Sequence, residues 1–297
     1  MPLPQIRLPP INVPANIKQL MPHKTELDPI LFTSELKGTF RRYLYTANMT
    51  SDREPELQDQ FWTELNQPER IVHGPLIHCI PSYKQGQTLK EIIAAGSDPK
   101  VSAKFLSLPE DQFDPSRPLY SHQLQALRLA EQGHNLIVAT GTGSGKTECF
   151  LLPIIQSVFA DPSPGLRAIL IYPMNALAND QLDRLRRLLA ACPEVTFGRY
   201  TSDTPQEITP EGKTAAGAIA NQRYSREEIR AKPPHILLTN FAMMEYLLLR
   251  PRDADLFKNN RLKFIVLDEA HSYDGSKGIE IGYLMRRLSQ YLAKPPS

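Results

Sequence analysis

An α/β fold, with a parallel sheet covered by helices on both faces, is what this sequence predicts behind a small proline-rich, mainly helical accessory region. Three observations carry that reading. From about residue 118, short β-branched apolar runs alternate with helical stretches, the pattern of strands joined by crossover helices. A glycine-rich turn stands between one of these runs and a helix. Proline thins out at the same place: 15 of the 27 prolines lie in residues 1–118 and the other 12 are spread over the remainder.

Taken in order, the segment to about Pro29 is expected to be extended, because it carries seven prolines. The spacing Phe32, Leu36, Phe40, Leu44 puts apolar groups on one helix face. Further helices are predicted over Glu56–Leu65 and Thr88–Ala95, the latter closed by Gly96. The strands expected are Asn135–Thr140, Arg167–Pro173, Val195–Tyr200, His235–Thr239 and Lys263–Asp268. Helices are expected over Gly145–Phe159, Ala176–Ala191 and Gly278–Leu292. Thr201–Lys232 breaks the rhythm; it reads as a polar insertion with one short helix, its charged run Arg223–Lys232 facing water or nucleic acid. The domains expected are an accessory region, 1–110, and an α/β domain, 111–297.

Bulk properties exclude several classes. A chain of 297 residues with 41% hydrophobic residues has enough apolar material for a sizeable core. Its mean hydropathy is −0.34, and no run approaches the roughly 18 apolar residues needed to cross a bilayer. The start, MPLPQIRLPP, has no apolar stretch of secretory type, so a cytoplasmic location is expected. The net charge of +2 neither demands nor excludes nucleic acid. Cys79, Cys149 and Cys192 are far apart and form no CxxC pair, which argues against a zinc site or a disulfide framework.

The sharpest local signal is TGTGSGKT, Thr140–Thr147. Thr140 stands where the usual phosphate-loop pattern has glycine, but Gly141, Gly143 and Gly145 still let backbone N–H groups curl around phosphate oxygens. The helix that follows points its positive end at the same anion. The nucleotide-holding stretch is therefore Thr142, Gly143, Ser144, Gly145, Lys146 and Thr147. In it Lys146 reaches the β- and γ-phosphates and Thr147 offers its hydroxyl to Mg2+. The second signal is FIVLDEAHSY, Phe264–Tyr273. Its apolar run delivers Asp268 and Glu269 to the C-terminal edge of the sheet, where ligands of parallel α/β sheets bind. Asp268 is expected to hold magnesium largely through water, Glu269 to orient and deprotonate the attacking water, and His271 to pass the nucleotide state to a neighbouring domain.

Together, GSGKT and DEAH resemble motifs I and II of superfamily two helicases. The wording GTGSGKTE, PMNALANDQ and TNFAMMEYLL is most similar to the Lhr/YprA-like branch, which includes bacterial repair and phage-defence helicases. The resemblance covers about Pro118–Leu292 and implies a RecA-like domain that uses ATP and Mg2+. PLYSHQLQAL resembles the segment in which a glutamine reads adenine, which assigns that role to Gln123. Tyr172–Gln181 is similar to motif Ia, implying nucleic-acid contacts from Pro173, Asn175, Ala176 and Gln181. Thr239 and Asn240 fall at another strand-tracking motif. Small polar groups on one sheet edge bind phosphates without reading bases, although Thr and Asn at that place are equally good helix caps.

The function expected is thus an ATP-dependent nucleic-acid helicase or translocase motor, with DNA as the partner on resemblance alone. Catalysis would rest on Lys146, Asp268, Glu269 and His271. The expectation includes a missing second RecA-like domain, because no Ser-Ala-Thr motif follows DEAH, and so weak nucleotide binding and poor hydrolysis by this chain alone. Residues 1–110 are expected to recruit a protein partner or guide nucleic acid. The competing class is a non-catalytic binding module or partner subunit; a small-molecule kinase leaves the ordered tracking segments unexplained.

Overall fold

A computed structural model describes residues 29–47, 54–67, 70–71, 82–96, 98–141, 143–215, 217–257 and 261–293. The chain divides into two compact units at Pro81/Ser82. The extended segment expected before Pro29, Cys79 and Thr142 lie outside the described residues.

The first unit contains α1 (Pro29–Ala47) and α2 (Pro55–Asn66), at the places their periodicity predicts. Proline at the start of α2 suits a helix N-terminus, where its missing N–H has no partner to lose. Tyr45 meets Trp62 edge to face at 5.3 Å, and Arg41 Nε donates to the Leu65 carbonyl at 3.1 Å. Phe32, Leu36 and Phe40 of the predicted apolar face remain exposed.

The second unit begins with β1 (Gln85–Thr88), α3 (Leu89–Ala95) and β2 (Pro118–Tyr120), with β1 and β2 paired antiparallel. A capping box fixes the start of α3: the Glu91 amide donates to Thr88 Oγ1 at 3.1 Å and the Thr88 amide to Glu91 Oε2 at 2.9 Å. Then follow α4 (Ser121–Glu131), α5 (Lys146–Ala160), β3 (Ala168–Tyr172), α6 (Asn175–Leu188), β4 (Phe197–Arg199), α7 (Pro210–Ala215), β5 (Gln222–Arg223), α8 (Arg226–Ala231), β6 (Ile236–Asn240), α9 (Phe241–Leu249), β7 (Phe264–Leu267) and α10 (Gly275–Ala293).

The main sheet has the order β5-β4-β6-β3-β7, and every pairing in it is parallel. All five residues of β3 are buried, as a central strand covered on both faces requires. Alternation along the strands sends Leu170 and Leu238 into one core with Ile154, Ile155 and Leu185 of α5 and α6. Ile169, Ile171 and Leu237 enter the other, with Met244 and Leu247 of α9 and Leu284 and Leu288 of α10. Each such side chain contributes roughly 1.5–3 kcal/mol when fully buried. The fold is the helix-covered, RecA-like parallel sheet expected.

Two expectations are corrected. Asn135–Thr140 forms no strand, and Ile137 is 99% exposed. Its composition favours extended backbone, but a strand also needs a ladder partner. Among the described residues, none pairs with the edge of β7 away from β3. Thr201–Lys232 is also more structured than a solvated insertion. It supplies two short helices and the edge strand β5, with Ile229 fully buried. The charged run is anchored: Ser225 caps α8, Arg226 Nη2 donates to the carbonyls of Thr201 at 3.0 Å and Ser202 at 3.1 Å, and Arg230 lies 3.4 Å from buried Asp253.

Candidate nucleotide and nucleic-acid site

The phosphate loop is shaped by backbone angles that glycine reaches at low cost. Gly143 and Gly145 have φ of 74° and 70°, and Gly145 is the residue from which α5 starts. Thr140 Oγ1 and Ser144 Oγ share a hydrogen bond of 2.6 Å that closes the loop's base. Lys146 and Thr147 occupy the first turn of α5, a 15-residue helix whose unpaired N–H groups and dipole suit an anion.

The loop is braced from α4. Gln123 is buried; its Nε2 donates to the Gly145 carbonyl at 3.0 Å, and its Oε1 accepts from the Tyr120 amide at 2.8 Å. Both ends of the side chain expected to read adenine are thus engaged with the protein. His122 Nε2 meets the Ser144 carbonyl at 2.9 Å; with a carbonyl as acceptor, that nitrogen carries the proton. Tyr83 packs beside His122 and Tyr120, ring centres 5.7 and 5.4 Å away. Its hydroxyl stands 2.7 Å from where a Cβ on Gly141 would lie. Sequence reasoning missed Tyr83 and His122. His122 could have been suspected from its place beside Gln123; Tyr83 is remote in sequence and carried no signal.

Across the sheet, β7 delivers Asp268 to the C-terminal edge, where its amide donates to the Ile171 carbonyl at 3.1 Å. Burial pushes the Asp268 carboxyl above the ordinary carboxylate range. The Glu269 charge adds to the rise, while the bond from the Glu269 amide (2.9 Å) and the Lys146 ammonium oppose it. The Lys146 ammonium of the phosphate loop is thus near enough to act on the Asp268 charge. Glu269 sits at φ 49°, the one non-glycine among the described residues with positive φ. Such backbone costs of order 1–3 kcal/mol and concentrates at functional sites. Its Oε2 lies 3.3 Å from Nδ1 of His271, whose side chain is 81% exposed. Exposure leaves the imidazole free to meet a further surface.

The candidate strand-tracking residues sit one strand further along. Tyr172 pairs in register with Asn240. Asn240 Nδ2 donates to Asn175 Oδ1 at 2.6 Å, and Asn175 Nδ2 reaches Ser202 at 3.0 Å and Asp203 at 3.1 Å. Asn240 also caps α9, accepting from the Met243 amide at 2.7 Å. The Thr239 hydroxyl is buried and donates to the Tyr200 carbonyl at 2.8 Å. Ala176 is exposed at the start of α6, and Pro173 and Gln181 are half-buried.

Thr147 and Asp268 present only hard oxygen donors, the type magnesium prefers. Around Asp268 the Tyr172 and Tyr273 hydroxyls are buried without a protein partner, as is nearby Ser272 Oγ. Both tyrosines feel the Asp268 carboxylate. Polar groups left unpaired beside Asp268 fit the water that magnesium would keep there. No helix among the described residues is long and apolar enough to cross a membrane.

Residues 120–296 match the DEAD/DEAH box helicase family. The chain is similar to Druantia protein DruE of Escherichia coli, 31% identical over 331 residues, covering 78% of this chain and 18% of DruE. It is also similar to the uncharacterized ATP-dependent helicase YprA of Bacillus subtilis, 32% identical over 175 residues, covering 58% of this chain and 20% of YprA. The chain thus spans about a fifth of the length of these relatives. A crystal structure of the DUF1998 helicase MrfA bound to DNA and AMPPNP superposes on 72% of this chain and 27% of MrfA, at 25% identity and a TM-score of 0.55.

Proposed function

The chain belongs to the DEAD/DEAH box helicase family, and from that premise we propose that it carries the ATP-binding half of the site of a cytoplasmic, DNA-directed helicase or translocase. The observation that carries the reading is that the Lys146 ammonium of the phosphate loop acts on the carboxyl of Asp268, which β7 delivers to the C-terminal edge of the parallel sheet. A phosphate loop alone serves many chemistries; opposed to a DEAH carboxylate pair it suits nucleoside triphosphate hydrolysis. The DNA in the MrfA structure supports DNA over RNA as the partner.

In this reading Gly143, Ser144 and Gly145 wrap the phosphates with backbone N–H groups, with Thr142 in the same loop. Lys146 balances the charge that develops on the β- and γ-oxygens. Thr147 and Asp268 would hold magnesium, which would supply neutralisation of phosphate charge. Glu269, aimed by its left-handed backbone, orients and deprotonates the attacking water. His271 faces outward to report the nucleotide state. Gln123 exchanges its bond to the Gly145 carbonyl for the adenine edge, so base recognition and loop setting are linked through one side chain. Pro173, Asn175, Ala176, Gln181, Thr239 and Asn240 form the edge along which the nucleic-acid backbone tracks. The reading also gives residues 1–110 to an accessory region that recruits a protein partner or guides nucleic acid, and 111–297 to the RecA-like domain, completed by a second such domain. An arginine supplied across that cleft is worth about a thousandfold or more in comparable enzymes.

The test is ATP hydrolysis by the full-length gene product with single-stranded DNA, duplex DNA and RNA. Lys146→Ala and Glu269→Gln should both abolish turnover, and the glutamine variant should still bind ATP. Turnover surviving in Glu269→Gln removes that residue from its role. Survival after DNA damage and plaque formation under phage challenge, each with and without the gene, separate repair from antiviral defence.

A further inference from the structure

Among the side chains packed on the phosphate loop, His122 has no part in the mechanism above. His122 and Gln123 are neighbours in the first turn of α4. Each meets one of two consecutive loop carbonyls: His122 Nε2 that of Ser144 at 2.9 Å, and Gln123 Nε2 that of Gly145 at 3.0 Å. No cis bond interrupts the loop among the described residues. In a trans peptide the C=O of one residue and the N–H of the next point to opposite sides. Holding the Ser144 and Gly145 carbonyls towards α4 therefore turns the N–H groups of Gly145 and Lys146 away from it. These N–H groups open α5, where backbone donors and helix dipole together favour an anion.

The imidazole is clamped in place. Tyr120 stacks on it at 5.6 Å with 17° between the ring planes, and Tyr83 meets it edge-on at 5.7 Å and 67°. The segment that carries Tyr83 is itself tied to α4, because the Ser121 amide and Ser121 Oγ both donate to the Lys84 carbonyl, at 2.8 and 3.1 Å. A ring held by two others has little rotamer freedom left to lose, so the donor at Nε2 is set before any ligand arrives. Gln123 differs, since the reading above has it give up the Gly145 carbonyl for the adenine edge. During that exchange the bond from His122 is what still holds the loop from α4.

We propose that His122 is a positioning residue that keeps the phosphate loop set for nucleotide while Gln123 changes partner. It touches neither the phosphates nor the reacting atoms. It acts through the Ser144 carbonyl on the peptide plane that also carries the Gly145 N–H, and that N–H meets phosphate. A neutral imidazole with its proton on Nε2 suffices. The inference rests on the ATPase reading above, which gives the phosphates to this loop and the adenine to Gln123.

The experiment uses the full-length protein and reads equilibrium binding of a fluorescent ATP analogue, KM and kcat for ATP hydrolysis, and thermal unfolding. His122→Phe keeps a flat ring between Tyr120 and Tyr83 and removes the donor. His122→Gln gives up the ring and keeps an N–H donor of similar reach. His122→Phe should weaken binding of the analogue about fivefold, what one ordinary hydrogen bond is worth. The loss should fall on KM rather than kcat, because the loop amides hold phosphate alike before and during transfer. His122→Gln should recover most of the affinity, even where its unfolding temperature drops. A role in ring packing alone gives the opposite order, with His122→Gln the weaker binder. That opposite order, an equal loss in both variants, wild-type affinity in His122→Phe, or a loss confined to kcat overturns the proposal and leaves the ATPase reading intact. Wild-type protein that binds no ATP overturns both.

Discussion

Replacing Gly145 by alanine probes the phosphate loop where its geometry is tightest. The residue has φ of 70°, and an added Cβ would stand 2.3 Å from Gln123 Nε2 and 2.8 Å from Glu148 Oε2, both closer than real contacts allow. Left-handed backbone at alanine costs about 1–2 kcal/mol. Both neighbours are ends of flexible side chains, so they will move rather than hold their ground. Moving Gln123 breaks its bond to the Gly145 carbonyl, worth about 1 kcal/mol, and moving Glu148 disturbs its pair with Arg184. The sum is about 2–4 kcal/mol. At 2–4 °C per kcal/mol for a domain of this size, the unfolding midpoint should drop by roughly 4–16 °C. If the proposed nucleotide site is right, the methyl group would also stand where phosphate oxygens approach the backbone, and affinity for ATP should weaken about tenfold or more. Scanning calorimetry reads the first effect, and titration with a fluorescent ATP analogue reads the second. An alanine variant with wild-type midpoint and affinity would refute the reasoning, because neither the left-handed angle nor the Gln123 brace would then matter.

Three further outcomes are expected. Asn221 is buried and directs its Nδ2 at the carbonyls of Leu189 (2.9 Å), Cys192 (3.1 Å) and Val195 (3.1 Å); Asn221→Ala should cost about 3 kcal/mol in urea unfolding, and Asn221→Asp more, since it puts a carboxylate against carbonyl oxygens. Asp253 is fully buried, accepts from the Tyr200 hydroxyl at 2.9 Å and pairs with Arg230; Asp253→Ala should lower stability by about 3–5 kcal/mol, and Arg230→Met alone should cost less than the alanine change because Tyr200 still donates to Oδ1. His235 is buried with Nδ1 accepting from the Thr196 amide at 3.1 Å and Nε2 facing the Ser163 carbonyl at 3.2 Å, and burial, then the charges of Arg167 and Arg223, hold its pKa below 6.5 against the partial support of backbone carbonyls. Below that pH the unfolded chain takes up a proton that the folded protein refuses, so stability is complete above about pH 6.5 and falls as pH drops, by up to about 1.4 kcal/mol per pH unit. His235→Gln should flatten that dependence, and an unchanged slope would remove His235 as its source.

The conformation of the glycine-rich loop was legible because its requirements are local. Glycines at 143 and 145 permit the positive φ the turn needs, and Lys146 and Thr147 open a helix whose periodicity is written in the residues that follow. The same holds for α3, where Thr88, Glu91 and Gly96 specify start and stop within one short segment. The alternation of β6 and the helices around it foretold the sheet. Asn135–Thr140 shows where local information ends. Its side chains suit a strand, but strand formation needs backbone partners on a neighbouring segment, and no residue inside the run specifies them. Tyr83 against Gly141, Glu148 against Arg184, and Tyr172 beside Asp268 are likewise invisible to periodicity, because each pairs positions distant along the chain. Their proximity follows from strand order and register, which come from burying two apolar faces at once. The sequence by itself determined which residues are candidates for the chemistry; tertiary packing alone decided which of them share an environment, since the low dielectric around Tyr172 and Asp268 exists only once helices α5 and α6 close over the sheet.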